Sequence, residues 1–147
     1  MIYAEHRYHL DVPPEVAFEY LSNPGNDAEW QGSCRESELL QAEPVVGGRY
    51  RIVFSFMGRR AEFVGEITER KPHSDYAFKV AEGPFPYEGR YSFTPAAGGG
   101  VDVHWQFWVT PARFFGIVPD VLLRKVLVSQ VEKDVVGLRK RFAAQTA

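Results

Sequence analysis

The sequence predicts an α+β fold, in which a curved antiparallel sheet of about six to seven strands is closed by one long C-terminal helix. Three observations predict it. Successive segments alternate apolar and polar residues with period two, the mark of half-buried strands. The connections between them are short and rich in Gly, Pro and Asp, which makes sequential strands antiparallel. The last ~25 residues instead carry apolar side chains every three or four positions, the helical spacing.

Segment 2–10 alternates loosely and stops at Asp11-Val12-Pro13-Pro14, so it is the first strand. Pro14 opens a helix, because its fixed φ suits the first helical position and its missing N–H is not needed there. Val16, Ala17, Tyr20 and Leu21 form the apolar stripe of that helix, and Asn23-Pro24-Gly25 ends it. A second short turn of helix is expected over 27–31, carrying Trp30.

Segment 34–43 reads as the second strand and 44–48 as a loop. Over 48–57, Tyr50, Ile52, Phe54 and Phe56 fall on one face, and Arg51, Val53 and Ser55 on the other. Gly58 sits where a tight hairpin turn belongs. Over 60–70, Ala61, Phe63, Gly65 and Ile67 share one face; Glu62, Val64, Glu66 and Thr68 share the other. After the turn at 71–75, segment 76–82 presents Tyr76, Phe78 and Val80 on its apolar face. Gly83-Pro84-Phe85-Pro86 interrupts the pattern, since proline cannot donate to a central ladder. Segments 87–94 and 101–110 complete the sheet. The last has Val101, Val103, Trp105, Phe107 and Val109 on one face and Asp102, His104, Gln106, Trp108 and Thr110 on the other.

A Phe-rich connector over 111–118 leads to Pro119, which starts the closing helix, expected to run to about Ala143. Leu123, Leu127, Val131, Val135, Leu138 and Phe142 form its stripe, and Lys140 and Arg141 complement its C-terminal dipole. A helix of ~25 residues spans about 37 Å, and a strand of ~10 residues about 33 Å. One helix can therefore lie along the whole sheet.

With 147 residues, no repeat and no linker, the chain is read as a single domain over 1–147, large enough to bury a core without disulfides or metal. Its formal charge of −2 gives no basic footprint for nucleic acid and no polybasic membrane anchor. No apolar run approaches the ~18 residues of a membrane span, and the first residues turn polar too early for a signal peptide. A cytoplasmic protein, monomeric or weakly dimeric, is the expectation. Cys34 is the single cysteine, so no intrachain disulfide forms.

Motifs with a specific chemistry are missing. There is no GxGxxG or GxxxxGK phosphate cradle, no HExxH and no CxxC pair, so no cofactor and no metal are expected. His6 and His9 point to opposite faces of one strand and cannot share a metal. These two, His73 and His104 read as solvated or locally bonded histidines. Cys34 has no base poised near it and reads as an inert thiol. Glu62 and Glu66 stand about 13 Å apart along their strand, too far for a carboxylate pair, and read as solvated charges on the convex side. Arg59-Arg60 reads as a solvated turn.

The aromatic residues are the stronger lead. They make up 14% of the chain, and most lie on the apolar strand faces. Phe54, Phe56, Phe63, Phe78, Tyr91, Phe93, Trp105 and Phe107 either fill a solid core or line a pocket with tyrosine hydroxyls as its few polar contacts. Gly65, on the inner face among bulky neighbours, leaves room for a ligand or for a closely packed helix.

The order of elements resembles the SRPBCC superfamily, which includes polyketide cyclase/dehydrase proteins, START lipid carriers and Bet v 1-like proteins. Several stretches carry the likeness: Val12-Pro13-Pro14-Glu15-Val16-Ala17-Phe18-Glu19-Tyr20-Leu21 with Asn23-Pro24 and Trp30 behind it, Val46-Gly47-Gly48-Arg49-Tyr50, Glu66-Ile67-Thr68-Glu69, and Gly98-Gly99-Gly100-Val101-Asp102-Val103-His104-Trp105. The resemblance spans nearly the whole chain. It implies a helix-grip fold, a sheet wrapped round the C-terminal helix with a cavity between them. The ligand contacts it implies are Trp30, Phe54, Phe56, Phe63, Phe78, Tyr87, Tyr91, Trp105, Leu123 and Leu127, with no catalytic residue assigned. Gly83-Pro84-Phe85-Pro86-Tyr87 resembles a stretch of the aromatase/cyclases. Their chemistry relies on an inward arginine and a tyrosine; Ile67 and Cys34 stand at those places here, so the resemblance does not carry that machinery over.

The resulting expectation is binding of a hydrophobic, aromatic or lipid-like small molecule, oriented by Tyr87, Tyr91 or Tyr76. A cyclase or dehydratase is the first alternative; it needs an inward acid or base, with His104, Arg90, Glu88 and Arg51 as the residues to locate. A partner-binding module is the second, with Phe114, Phe115 and Trp108 exposed.

Overall fold

The computed structural model describes residues 1–56, 58–111, 116 and 118–146, with backbone alone for Phe56, Gln145 and Thr146. The chain runs β1 (Ile2–Leu10), α1 (Pro14–Leu21), a 3-10 turn (Pro24–Asn26), α2 (Asp27–Trp30), β2 (Cys34–Leu39), β3 (Arg49–Phe56), β4 (Arg59–Lys71), β5 (Asp75–Glu82), β6 (Tyr87–Pro95), β7 (Val101–Val109) and α3 (Asp120–Thr146). The strands form one curved seven-stranded antiparallel sheet in the order β1-β7-β6-β5-β4-β3-β2. Strands β2 to β7 follow one another as a meander. β1 returns to pair with β7, Ile2 opposite Val109 and Leu10 opposite Val101. Among the described residues no helix is long and apolar enough to cross a membrane.

The alternation sorts the faces. On β4, Ala61, Phe63, Gly65 and Ile67 are buried while Glu62, Glu66 and Thr68 are exposed. On β1, Ile2, Ala4, Tyr8 and Leu10 point inward and are buried. α1 closes one end of this concave face. Its Phe18, fully buried, meets Phe93 edge-on at 5.5 Å, and the Arg70 guanidinium lies 5.0 Å over its ring. Burying one such side chain is worth roughly 1.5–3 kcal/mol.

α3 lies along β1 and is bolted to it at two points. Arg124 Nε donates to the Tyr3 carbonyl at 2.9 Å, and Arg139 Nε and Nη2 donate to the His9 carbonyl at 3.2 and 3.1 Å. The spacing is physical: the helix rises about 22 Å between those arginines, and the strand about 20 Å between those carbonyls. Leu123, Val135, Leu138 and Phe142 are thereby pressed into the core.

Three details differ from the pattern reading. β2 stops at Leu39 rather than running to Glu43, because a side chain takes over from the ladder: Gln41 Oε1 accepts from the Arg49 N–H at 2.8 Å while Gln41 Nε2 donates to the Glu43 carbonyl at 3.2 Å. α3 begins at Asp120, with Pro119 supplying the carbonyl that accepts from the Leu123 N–H at 3.0 Å, and extends to Thr146. The convex face is also less solvated than alternation implies. Val53 is fully buried there, in register between Glu36 and Glu62. Those two carboxylates share Arg51 and Arg60: Arg51 pairs at 3.3 and 3.0 Å, Arg60 at 3.4 and 3.5 Å. Arg60 and Glu62 are therefore ion-paired rather than free.

The room beside Gly65 holds neither a ligand nor the helix. A Cβ there would stand 2.5 Å from Tyr50 Cζ, so the Tyr50 ring itself fills the space. Gly83 is constrained twice. Its φ is +145°, and a Cβ would sit 2.3 Å from Phe63 Cδ1 and 3.0 Å from the Glu62 carbonyl oxygen. Gly83→Ala is therefore expected to cost about 1–3 kcal/mol in urea unfolding, from crowding a packed ring and from an unfavourable backbone angle. An unchanged unfolding midpoint would refute this account of the β5–β6 turn.

Candidate ligand cavity

The inner strand faces and α3 do not close on each other completely. Between them lies a cavity of about 100 Å³. Aromatic rings make most of its wall: Tyr50 and Phe54 from β3, Phe78 from β5, Phe85 from the β5–β6 turn, Tyr87 and Tyr91 from β6, and Trp105 and Phe107 from β7. These rings brace one another. Phe63 stands 4.9 Å from Phe85 and 5.1 Å from Tyr87, Tyr87 is 5.2 Å from Phe107, and Trp105 stacks on Phe107 at 5.4 Å. Each such pair is worth ~0.5–1.5 kcal/mol beyond its buried area, which gives the wall its rigidity. Leu127 and Val131 form the opposite side. They are half-buried, whereas Leu123, Val135 and Leu138 before and after them on α3 are buried.

Polar groups also line the cavity. Asp27, Trp30, Gln31 and Ser33 come from α2 and the link to β2, Gln130 and Asp134 from α3, and Tyr8 from β1. Asp134, 7% exposed, accepts at Oδ1 from the Gly32 N–H and from Gln130 Nε2, both at 2.9 Å. Burial nevertheless holds its pKa above the usual carboxylate range. Burial lifts Asp27 further, well above the ordinary value. The Trp30 indole N–H lies close enough to draw Asp27 partway back, without reaching hydrogen-bond geometry. Trp30 Nε1 and the Tyr8 hydroxyl are both buried and have no hydrogen-bond partner among the described residues. An unpaired buried donor costs ~1–3 kcal/mol. The Tyr91 hydroxyl, raised first by burial, also feels Tyr8, Asp27 and Asp134. Among the described residues no Lys, Arg or His lines the cavity, and no group of His, Cys, Asp and Glu is placed to hold a metal ion.

Of the side chains named from the sequence, Trp30, Phe54, Phe78, Tyr87, Tyr91, Trp105 and Leu127 stand on the cavity wall. Phe63 and Leu123 stand behind it, buried at 1% and 2% exposure, because their neighbours come between them and the open space. The Phe56 side chain lies outside the described residues, as do Phe114 and Phe115. Tyr76 is stacked behind Tyr91 at 5.8 Å. Cys34 is buried, its thiol pushed up to about 12 chiefly by desolvation. His104, Arg90 and Arg51 belong to the convex face, paired with Glu5, with Glu69 and Asp75, and with Glu36 and Glu62.

The sequence reading missed Asp27, Asp134 and Tyr8. Asp134 left a signal: it falls on the inner face of α3, eleven residues after Leu123 and four before Leu138, as a charge inside an apolar stripe. Tyr8 left one too, as the inward member of β1 between His6 and Leu10. Asp27 left none, since an acidic residue opening a short helix is ordinary.

A curved antiparallel sheet with short helices after its first strand and a long C-terminal helix defines the helix-grip class of proteins. Residues 1–143 match the family described as polyketide cyclase / dehydrase and lipid transport, and the chain belongs to that family within the SRPBCC superfamily. Solved structures share the fold. A protein of Thermus thermophilus superposes with a TM-score of 0.82 at 22% identity, with 99% of each chain covered. A START superfamily protein from Mycobacterium smegmatis gives 0.79 at 14% identity, covering 96% of this chain and 97% of that one. A protein of Chromobacterium violaceum gives 0.73 at 16% identity, covering 95% and 96%. No curated protein sequence matches the chain.

The raised Asp27 has a measurable consequence. An unfolded Asp titrates near ~3.9. The unfolded chain thus loses this proton at lower pH than the folded one, and stability declines as pH rises from about 4 through the folded pKa. Asp27→Asn removes that contribution. Between about pH 4 and pH 8 its melting temperature is expected to fall less than that of the wild type. Parallel melting curves would mean that Asp27 ionises without penalty.

Proposed function

We propose that this protein binds a small hydrophobic molecule, aromatic or lipid-like, in the cavity between the sheet and α3. The observation that carries the reading is the partly open space between sheet and helix, walled by rings that hold one another in place. Size narrows the ligand. The cavity, at about 100 Å³, is below the ~300–1,000 Å³ of sites for drug-sized molecules and nearer the ~150 Å³ cavity that admits benzene. A ligand the size of one ring fits the space as it stands; a long acyl chain requires its walls to move apart. The family description, which couples cyclase/dehydrase with lipid transport, is consistent with a carrier or an enzyme.

A second reading, a cyclase or dehydratase, is favoured by one observation. Asp27 stands in the cavity with its pKa raised, and a neutral carboxyl can serve as a general acid. The partner-module reading has less support: Trp108 packs against Tyr3 at 5.3 Å, and its other two residues lie outside the described residues.

Native mass spectrometry of freshly purified protein tests the binding reading, followed by thermal shift across single-ring and two-ring aromatics and fatty acids. A ligand at a hundred times its Kd adds about 2.7 kcal/mol of stability, an easily read rise in Tm. Leu127→Trp is expected to fill the cavity, abolish that shift and leave a folded protein. If the interior is solid in solution, the same change costs about 1–3 kcal/mol by overpacking and there is no shift to abolish.

A further inference from the structure

Resting on the binding reading above, we infer that the cavity selects a neutral, ring-sized ligand bearing a carbonyl or hydroxyl oxygen, and rejects ligands bearing a carboxylate. Two donors ask for such an oxygen. Trp30 Nε1 and the Tyr8 hydroxyl are buried in the cavity wall without partners among the described residues, and Tyr8 is only 6% exposed. An indole N–H can only donate, so what satisfies it must be an acceptor. The ring walls of Tyr87, Trp105 and Phe107 supply the apolar remainder of the site.

Charge supplies the exclusion. The cavity wall carries Asp27 and Asp134 and, among the described residues, no cation. A ligand carboxylate entering it would lose its water, find no countercharge, and stand beside groups that become like-charged once ionised. Asp134 cannot be turned aside, because Gly32 and Gln130 both hold its Oδ1. A ligand cation would suit the carboxyls but would leave the Trp30 N–H unpaired.

The test uses the full chain and five probes of one ring each: toluene, benzyl alcohol, acetophenone, benzoate and benzylamine. Binding is read by calorimetry and by quenching of tryptophan fluorescence. Acetophenone and benzyl alcohol are expected to bind about tenfold tighter than toluene, and benzoate more weakly than toluene by at least as much. Trp30→Phe and Tyr8→Phe keep the rings and remove the donors; each is expected to shrink the advantage of acetophenone over toluene while toluene binding persists. Equal binding of toluene and acetophenone overturns the inference but leaves the binding reading standing, as does benzoate matching acetophenone or benzylamine binding tightest. Failure of all five, toluene included, overturns the binding reading and the inference with it. Should either variant fail to fold, the wild-type series decides alone.

Discussion

β1 and β2 are neighbours in sequence and the two outermost strands of the sheet. Six inter-strand gaps separate them, about 29 Å along the sheet at ~4.8 Å per gap. The chain must cover that distance between Leu10 and Cys34, and it does so through α1, the 3-10 turn and α2. This crossing is the constraint on which the rest depends. It brings Phe18 under the sheet as a plug, and it delivers Asp27, Trp30 and Gln31 to the cavity wall. A direct hairpin between β1 and β2 would have left that end of the concave face open.

α3 completes the enclosure from the other side. Its contribution is divided along its length: Val135, Leu138 and Phe142 pack solidly, while Leu127 and Val131 meet the cavity. The aromatic strands explain why space remains. Rings braced edge to face keep a fixed outline, and a stripe of Leu and Val cannot fill every recess between them. The polar groups are tolerated because they are few and tied down. Asp134 has two donors on one oxygen, and Asp27 meets the cost of burial by holding its proton to higher pH.

The strands were the most legible part of the sequence. Alternation over β3 to β7 identifies the inner face, and the long helix declares itself by its stripe. What alternation cannot express is depth. Phe63 and Tyr87 share the apolar pattern and touch each other, yet one stands behind the wall and the other on it. That difference depends on which residue of a distant strand lies across, as Gly65 also illustrates, where the open space predicted from one strand is taken by Tyr50 of the next. Asp27 was hidden for a similar reason. Nothing local tells a solvent-facing acidic residue in a short helix from one that shares a cavity wall with Tyr50, Tyr87 and Tyr91.

The two arginine bolts between α3 and β1 do more than position the helix. An open sheet ends in two strands with unpaired backbone, and such edges invite a strand from another molecule. On β1, the carbonyls of Tyr3 and His9 are already occupied by Arg124 and Arg139. On β2, the strand has only six residues, its register shifts between Cys34 and Glu36, and Glu36 and Glu38 are tied to Arg51. A visiting strand would have to displace guanidinium groups at the β1 edge, and at the β2 edge it would meet a strand both short and irregular. The arginines that hold the grip closed thus also make the β1 edge a poor template for growth into larger β-assemblies.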